Sequence, residues 1–271
     1  MACKVKVLSK SINVVTGDTL TTVELRYWRA IHGELMTHRV FSRNAGSSRA
    51  TPVKKMLDQV WNDPAGPIHW GVNKAGMQAN AELRGWRLKL SQNLWRTSGK
   101  VACAFAWGLM KIGLHKQVAN RILEPWQYIN VIVSSTDWSN FYELRCHKDA
   151  QPEFQELARE IRYQITFTEP NKLVTGQWHL PYIDDTELNT LSLKEQLMVS
   201  TARNARVSIA PFDGNAKIAK EIERHDLLVG STPKHMSPTE HVAMAMPTSE
   251  NYGNFRGFKQ YRQFIELGET P

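Results

Sequence analysis

Thr37-His38-Arg39-Val40-Phe41-Ser42-Arg43-Asn44-Ala45-Gly46-Ser47-Ser48-Arg49 is the densest polar stretch of the 271-residue chain. It holds one histidine, three arginines, three serines and an asparagine, with no carboxylate among them. Guanidinium forks and hydroxyl donors at that density suit an anion, and Gly46 lets backbone approach a ligand closely. A solvated basic loop has the same composition, so the stretch takes its meaning from what surrounds it.

Working outward, the chain carries 34 Lys+Arg against 26 Asp+Glu, a formal excess of +8. With 42% hydrophobic and 22% charged residues it has ordinary globular composition, which excludes a disordered or fibrous chain. The longest nearly apolar stretch, Val101 to Met110, is about half a membrane span. The first residues lack the apolar core of a secretory leader, so no membrane partner is expected. Three cysteines (Cys3, Cys103, Cys146) at spacings unlike those of metal ligands fit a reduced, cytoplasmic protein without a metal site. The positive excess fits polynucleotides and small phosphate-bearing molecules alike. No GxxxxGK[ST], no GxGxxG after a strand, no HExxH, no paired CxxC and no GxSxG occurs.

Patterning predicts a helix-rich α+β fold with a mixed sheet packed against helices. Residues 1–8 alternate as a strand, and Tyr128–Val133, apolar and β-branched, reads as a buried one. Asp18 reads as the N-cap of a helix in which Leu20, Val23, Tyr27, Ile31 and Leu35 recur at three- and four-residue steps. Further helices are expected over 81–97 and 100–113, separated at Ser98-Gly99, then over 118–124, stopped by Pro125. Others follow over 137–148, 151–164 (with Pro152 in the first turn), 194–203 and 215–228, with a last strand over 242–246. Residues 62–76 and 168–192 read as surface connections. Seven of the nine tryptophans fall between 61 and 138, as expected of a helical core. Residues 254–263 alternate aromatic and basic side chains, as a base-stacking platform or an amphipathic edge element would.

The opening stretch resembles the flavin-dependent thymidylate synthases, whose pattern R-H-R-x-x-S-x-N-x-x-S-x-R is met by His38, Arg39, Ser42, Asn44, Ser47 and Arg49. Thr37 replaces its first arginine, and Ala45 replaces a polar side chain common two residues before the motif serine. Ala119-Asn120-Arg121-Ile122-Leu123-Glu124-Pro125 is similar to the family's A-R-x-x-L-P. Asn140-Phe141-Tyr142-Glu143-Leu144-Arg145 with Ala150-Gln151-Pro152-Glu153 is similar to its N-F-x-x-L-R…A-Q-W-E-I. Counterparts of A-A-R-V-S-F and H-x-[ST]-P-F-E-H, Ala202–Ser208 and His235–His241, follow these segments here, whereas in the family they precede them. The resemblance therefore implies one domain over 1–271 with circularly permuted segment order, with 50–100 and 248–271 as family-atypical additions. Permutation costs little where termini lie close together at the surface.

By resemblance, Arg145 and Ser47 are the catalytic candidates, and Ser47, Arg49, Arg121 and Arg145 the nucleotide-binding ones. His38, Arg39, Asn140, His235 and Ser237 are the candidates for holding FAD, while His241 reads as structural. The implied reaction is one-carbon transfer to C5 of a pyrimidine deoxynucleoside monophosphate, foremost thymidylate synthesis from dUMP. Methylenetetrahydrofolate and NADPH are its co-substrates and a homotetramer its assembly. A relative making another modified pyrimidine, by hydroxymethylation or from dCMP, and a non-catalytic nucleic-acid-binding protein on the same fold are the alternatives.

Overall fold

The computed structural model describes residues 3–76, 78–79, 81–208 and 217–270. A five-stranded sheet runs in the order β3-β4-β2-β1-β5. Its members are β1 (Lys4–Asn13), β2 (Thr19–Trp28), β3 (Ser42–Ala45), β4 (Tyr128–Ser135) and β5 (Asn171–Leu173). All pairings are antiparallel except β1 with β5, so the sheet is mixed as expected.

The segment expected to be a helix after Asp18 is the strand β2. Thr19, Thr21, Thr22, Val23, Tyr27 and Trp28 are β-branched or aromatic, and such side chains fit a pleated surface better than a helical turn. Both faces of β2 are covered. Val23, Leu25 and Tyr27 enter the main core, while Leu20 packs with Ala243, Ala245, Phe255 and Phe258. Burial alternates over the second half of the strand, Val23, Leu25 and Tyr27 against Glu24, Arg26 and Trp28, but is continuous from Leu20 to Val23, which masks the strand pattern at its start. Asp18 caps no helix; it accepts hydrogen bonds from Ser249 (2.6 Å) and Arg256 (2.7 Å).

The helices are α1 (His32–Leu35), α2 (Val53–Asn62), α3 (Gly85–Lys111), α4 (Lys116–Ala119) and α5 (Ser139–Arg145). They continue with α6 (Pro152–Thr166), α7 (Asp185–Thr190), α8 (Leu193–Arg206), α9 (Ile218–Val229) and α10 (Tyr261–Leu267). The break expected at Ser98-Gly99 is absent, and α3 runs straight through. Gly99 is there for space: a Cβ would stand 3.1 Å from the Trp126 ring. The expected stop at Pro125 is also absent, because a 3-10 turn from Asn120 to Trp126 continues across it. Of the expected strand 1–8 and helix 215–228, Met1, Ala2, Asn215 and Ala216 lie outside the described residues.

A second sheet, β10-β7-β6, joins β6 (Trp178–His179), β7 (Ala243–Ala245) and β10 (Phe258–Gln260); β8 (Asn251–Tyr252) and β9 (Phe255–Arg256) form a hairpin. Residues 168–192 are accordingly more than a surface connection. They supply two strands, α7 and the buried His179, Leu180 and Tyr182.

The 254–263 tail is an amphipathic edge and offers no stacking platform, since Phe255, Phe258 and Tyr261 are buried. Its cations face carboxylates: Arg256 with Asp18, Lys259 with Glu269, and Arg262 with Glu240 and Glu266. The tryptophan-rich region is only partly core. Trp138 is buried and Trp95 packs on Trp126, but Trp61, Trp86 and Trp107 are exposed. Among the described residues no helix is long and apolar enough to cross a membrane.

Candidate functional site

The single turn of α1 places Glu34 and Thr37 one helical step apart, and β3 then pairs with β4 from Ser42↔Ser134 to Ala45↔Val131. The chain turns between them at His38, which is buried against Phe41, Phe141 and Phe154. Burial first, then the nearby Arg145 and Arg43 guanidinium groups, push the His38 pKa down to about 4. The imidazole is therefore neutral, and its Nε2 accepts a hydrogen bond from Arg145 Nε at 3.0 Å.

Arg145 ends α5, and its guanidinium makes four hydrogen bonds among the described residues. Nη1 donates to Glu34 Oε2 at 2.7 Å, and Nη2 donates to Thr37 Oγ1 at 3.2 Å. The Thr37 hydroxyl donates in turn to the Glu34 carbonyl at 2.7 Å. Phe154 lies under the guanidinium plane, 4.6 Å from ring centroid to Cζ. The group opens onto a cavity of about 760 Å3 that Trp28, Glu34, Lys148 and Glu153 also line. One wall comes from Pro67, His69, Gln78 and Ala79. Glu153 Oε1 anchors that wall by accepting from Ile68 N at 2.8 Å, and Gln78 donates to the Asp149 carbonyl at 3.1 Å.

Ser47 opens onto a different cavity, of about 550 Å3. Gly46, Ser48 and Thr51 line it together with Arg26, Arg29, Lys55 and Arg206, and no carboxylate is among the described residues of the lining. The three arginines also face carboxylates, Arg26 with Asp63 (3.1 Å), Arg29 with Glu124 (3.2 Å) and Arg206 with Glu221, so the cavity offers an anion hydroxyls, backbone and partly neutralised cations. Behind the lining, Glu124 accepts from Ser48 (2.8 Å) and Arg121 (2.8 Å) and pairs with Arg29 (3.2 Å).

Of the residues singled out in the sequence, His38 and Arg145 meet directly, whereas Ser47 and Arg145 line separate cavities of one chain. Arg39, Arg49, Asn140 and His235 are exposed, and Arg121 is half exposed in its pair with Glu124. Ser237, also exposed, donates to Asn44 Oδ1 at 3.3 Å. Asn44 Nδ2 donates to the carbonyls of Asn204 (2.7 Å) and Ala205 (3.1 Å), so the end of α8 and the 237 turn sit beside β3. His241 is structural as expected: fully buried, its Nδ1 bonds Ser134 Oγ at 2.8 Å. Sequence reasoning missed Glu34, Arg26, Arg29 and Lys55. For Glu34 the available signal was its place three residues before Thr37, one turn away on a helix.

Residues 19–171, more than half of the chain, match the family model described as thymidylate synthase complementing protein. The chain belongs to that family. The matched window contains Glu34, the 37–49 motif, Arg121 and Arg145, and stops short of Arg206, His235 and Ser237. Its similar solved structures include two crystal structures of the UMP/dUMP methylase PolB from Streptomyces cacaoi, one bound with 5-Br UMP and one with 5-Br dUMP. Both are 14% identical and cover 60% of this chain. They align over 88% and 90% of their own lengths, with TM-scores of 0.48 and 0.47. No curated protein matches the sequence.

Proposed function

We propose that this chain is a flavin-dependent enzyme adding a one-carbon unit to C5 of a pyrimidine deoxynucleoside monophosphate, with dUMP as substrate and thymidylate as product. The observation that supports it is that the family window 19–171 includes both Ser47, in a basic cavity with no carboxylate among its described lining residues, and Arg145, in a separate cavity of mixed charge. The first suits a phosphate and the second an uncharged ring. Methylenetetrahydrofolate as one-carbon donor and NADPH as reductant follow from the family resemblance.

In this reading Ser47 donates to the nucleotide, and Arg26, Arg29 and Arg206 neutralise its phosphate, with Arg49 and Arg121 at the rim. Arg145 hydrogen-bonds the pyrimidine and withdraws electron density from it, which activates C6. Flavin, when bound, supplies the hydride. For FAD the donor set fits in part. Arg39, Asn140 and Ser237 offer an exposed guanidinium, amide and hydroxyl, with His235 nearby in sequence. His38 does not fit a direct contact through Nε2, which already accepts from Arg145. Its role here is to hold Arg145.

The permuted single domain and a homo-oligomer belong to the same proposal. Because Ser47 and Arg145 line separate cavities of one chain, this reading has two chains share the nucleotide. The length of α3 leaves Trp86, Leu90, Leu94, Val101, Phe105 and Ile112 exposed, a stripe of the kind that interfaces cover. Methyl against hydroxymethyl product, and dUMP against dCMP, are decided by turnover. Purified protein is expected to be an oligomer absorbing near about 450 nm from bound flavin. With NADPH and methylenetetrahydrofolate it is expected to convert dUMP to a product heavier by one CH2 unit, a methyl group in place of the C5 hydrogen. Colourless protein that takes up no added FAD and turns over neither nucleotide would refute the reading.

A further inference from the structure

Counting hydrogens on Arg145 leaves little to spare. Nε–H is used by His38, one Nη1–H by Glu34 Oε2, and Nη2–H by Thr37 Oγ1, with the Glu34 carbonyl 3.5 Å from Nη2. A guanidinium has five N–H donors, so a second Nη1–H remains without a partner among the described residues. On the other side of the ion pair, Glu34 Oε1 accepts no hydrogen bond from any described residue, and the side chain is 39% exposed. Both residues line the same cavity. It therefore presents a donor and an acceptor, joined by a 2.7 Å ion pair and held in plane by Phe154. An ion pair has no net charge to offer a phosphate, but a donor beside an acceptor complements an amide edge.

We propose that Glu34 reads the base: its carboxylate accepts the N3–H of the pyrimidine while Arg145 donates to the adjoining ring carbonyl. This rests on the pyrimidine lying at Arg145, as proposed above, and adds a specificity residue to that site. Thr37 is what makes the couple possible. An arginine there would bring a second cation against Arg145 and draw off the Glu34 carboxylate, whereas the threonine hydroxyl accepts from Arg145 and leaves Glu34 in place. Cytosine offers a similar pair through N3 and its 4-amino group, so the couple selects this edge rather than uracil over cytosine.

The test is equilibrium titration of the full-length protein with dUMP and with N3-methyl-dUMP, which lacks the N3–H. Wild type, Glu34→Gln, Glu34→Ala and Arg145→Ala are compared, and bound flavin is read separately as a check on folding. Wild type is expected to bind dUMP about tenfold or more tighter than the methylated analogue. Glu34→Ala is expected to weaken dUMP by about tenfold and to bind both analogues alike. Glu34→Gln keeps an oxygen acceptor and is expected to retain part of the discrimination. Equal binding of both analogues by wild type overturns the proposal, even if the alanine variant fails to fold. So do Glu34 variants that discriminate as wild type does while Arg145→Ala loses dUMP. If Arg145→Ala also binds dUMP unchanged, what fails is the placement of the pyrimidine itself.

Discussion

Thr37 stands where the family motif has arginine, and its hydroxyl spans two partners: it accepts from Arg145 and donates to the Glu34 carbonyl. The replacement is thus wired into the site. Thr37→Arg, which restores the family residue, is expected to weaken dUMP binding by about tenfold, because like charges placed together in a partly buried site cost over 1 kcal/mol. Tighter nucleotide or flavin binding in that variant would show that Thr37 is a simple loss. The motif itself was legible, because a cluster of short-range polar residues needs no tertiary knowledge to be seen. The roles of its members were not. His38 was expected to hold FAD, yet it is buried under three aromatic rings with its ring nitrogen accepting from a residue 107 positions away.

At the scale of elements, α3 is apolar on two opposite faces. Gly99, Cys103 and Ala106 bury against α2 and the 120–126 turn, while Leu94, Val101 and Phe105 face outward. The small residues on the covered face set how closely the helix approaches Trp126. Gly99→Leu is expected to lower stability by about 1–3 kcal/mol through overpacking. Gly108→Ala, where a Cβ meets nothing within 4 Å, is expected to raise it by about 0.5–1 kcal/mol through helix propensity. Urea midpoints of the two variants check both signs, and a neutral Gly99→Leu would refute the close approach. Element type was readable wherever one face alone is buried, as in α6, where Phe154, Leu157, Ala158 and Ile161 recur at helical spacing. It was misread in β2, because Leu20, Val23, Tyr27, Ile31 and Leu35 fall by chance at three- and four-residue steps across a strand, a 3-10 turn and α1.

Across the whole molecule, a chain of buried polar groups ties the large sheet to the small one. Ser11 Oγ bonds His179 Nδ1 (2.8 Å), His179 Nε2 bonds Thr22 Oγ1 (2.8 Å), and Thr22 bonds Ser134 (2.6 Å), which reaches His241 Nδ1 (2.8 Å). Burial drives the pKa of His179 down to about 3, with His241 adding to it, and burial alone takes His241 to about 3. Like His38, these rings are neutral when folded but accept a proton below about 6.5 when unfolded. Their contribution to stability is therefore complete above about pH 6.5 and is lost as pH falls toward the folded values. Each steepens the decline by about 1.4 kcal/mol per pH unit in that window. Denaturant midpoints are expected to fall between about pH 7.5 and about pH 5, and His241→Gln to flatten that slope at the cost of lower stability at neutral pH. An unchanged slope would show that His241 is not neutral in the native state.

The sequence by itself determined the family, the helix-rich α+β class and the candidate motif residues, because each rests on side-chain chemistry and spacing within short segments. Tertiary structure alone decided that the tail's aromatic residues are core and that β2 is a strand. It also separated Ser47 and Arg145 into two cavities of one chain and set Glu34 beside Arg145. Those outcomes depend on which surfaces are covered and which charges meet across a hundred residues, and burial and Coulomb energy are properties of the packed chain rather than of any segment of it.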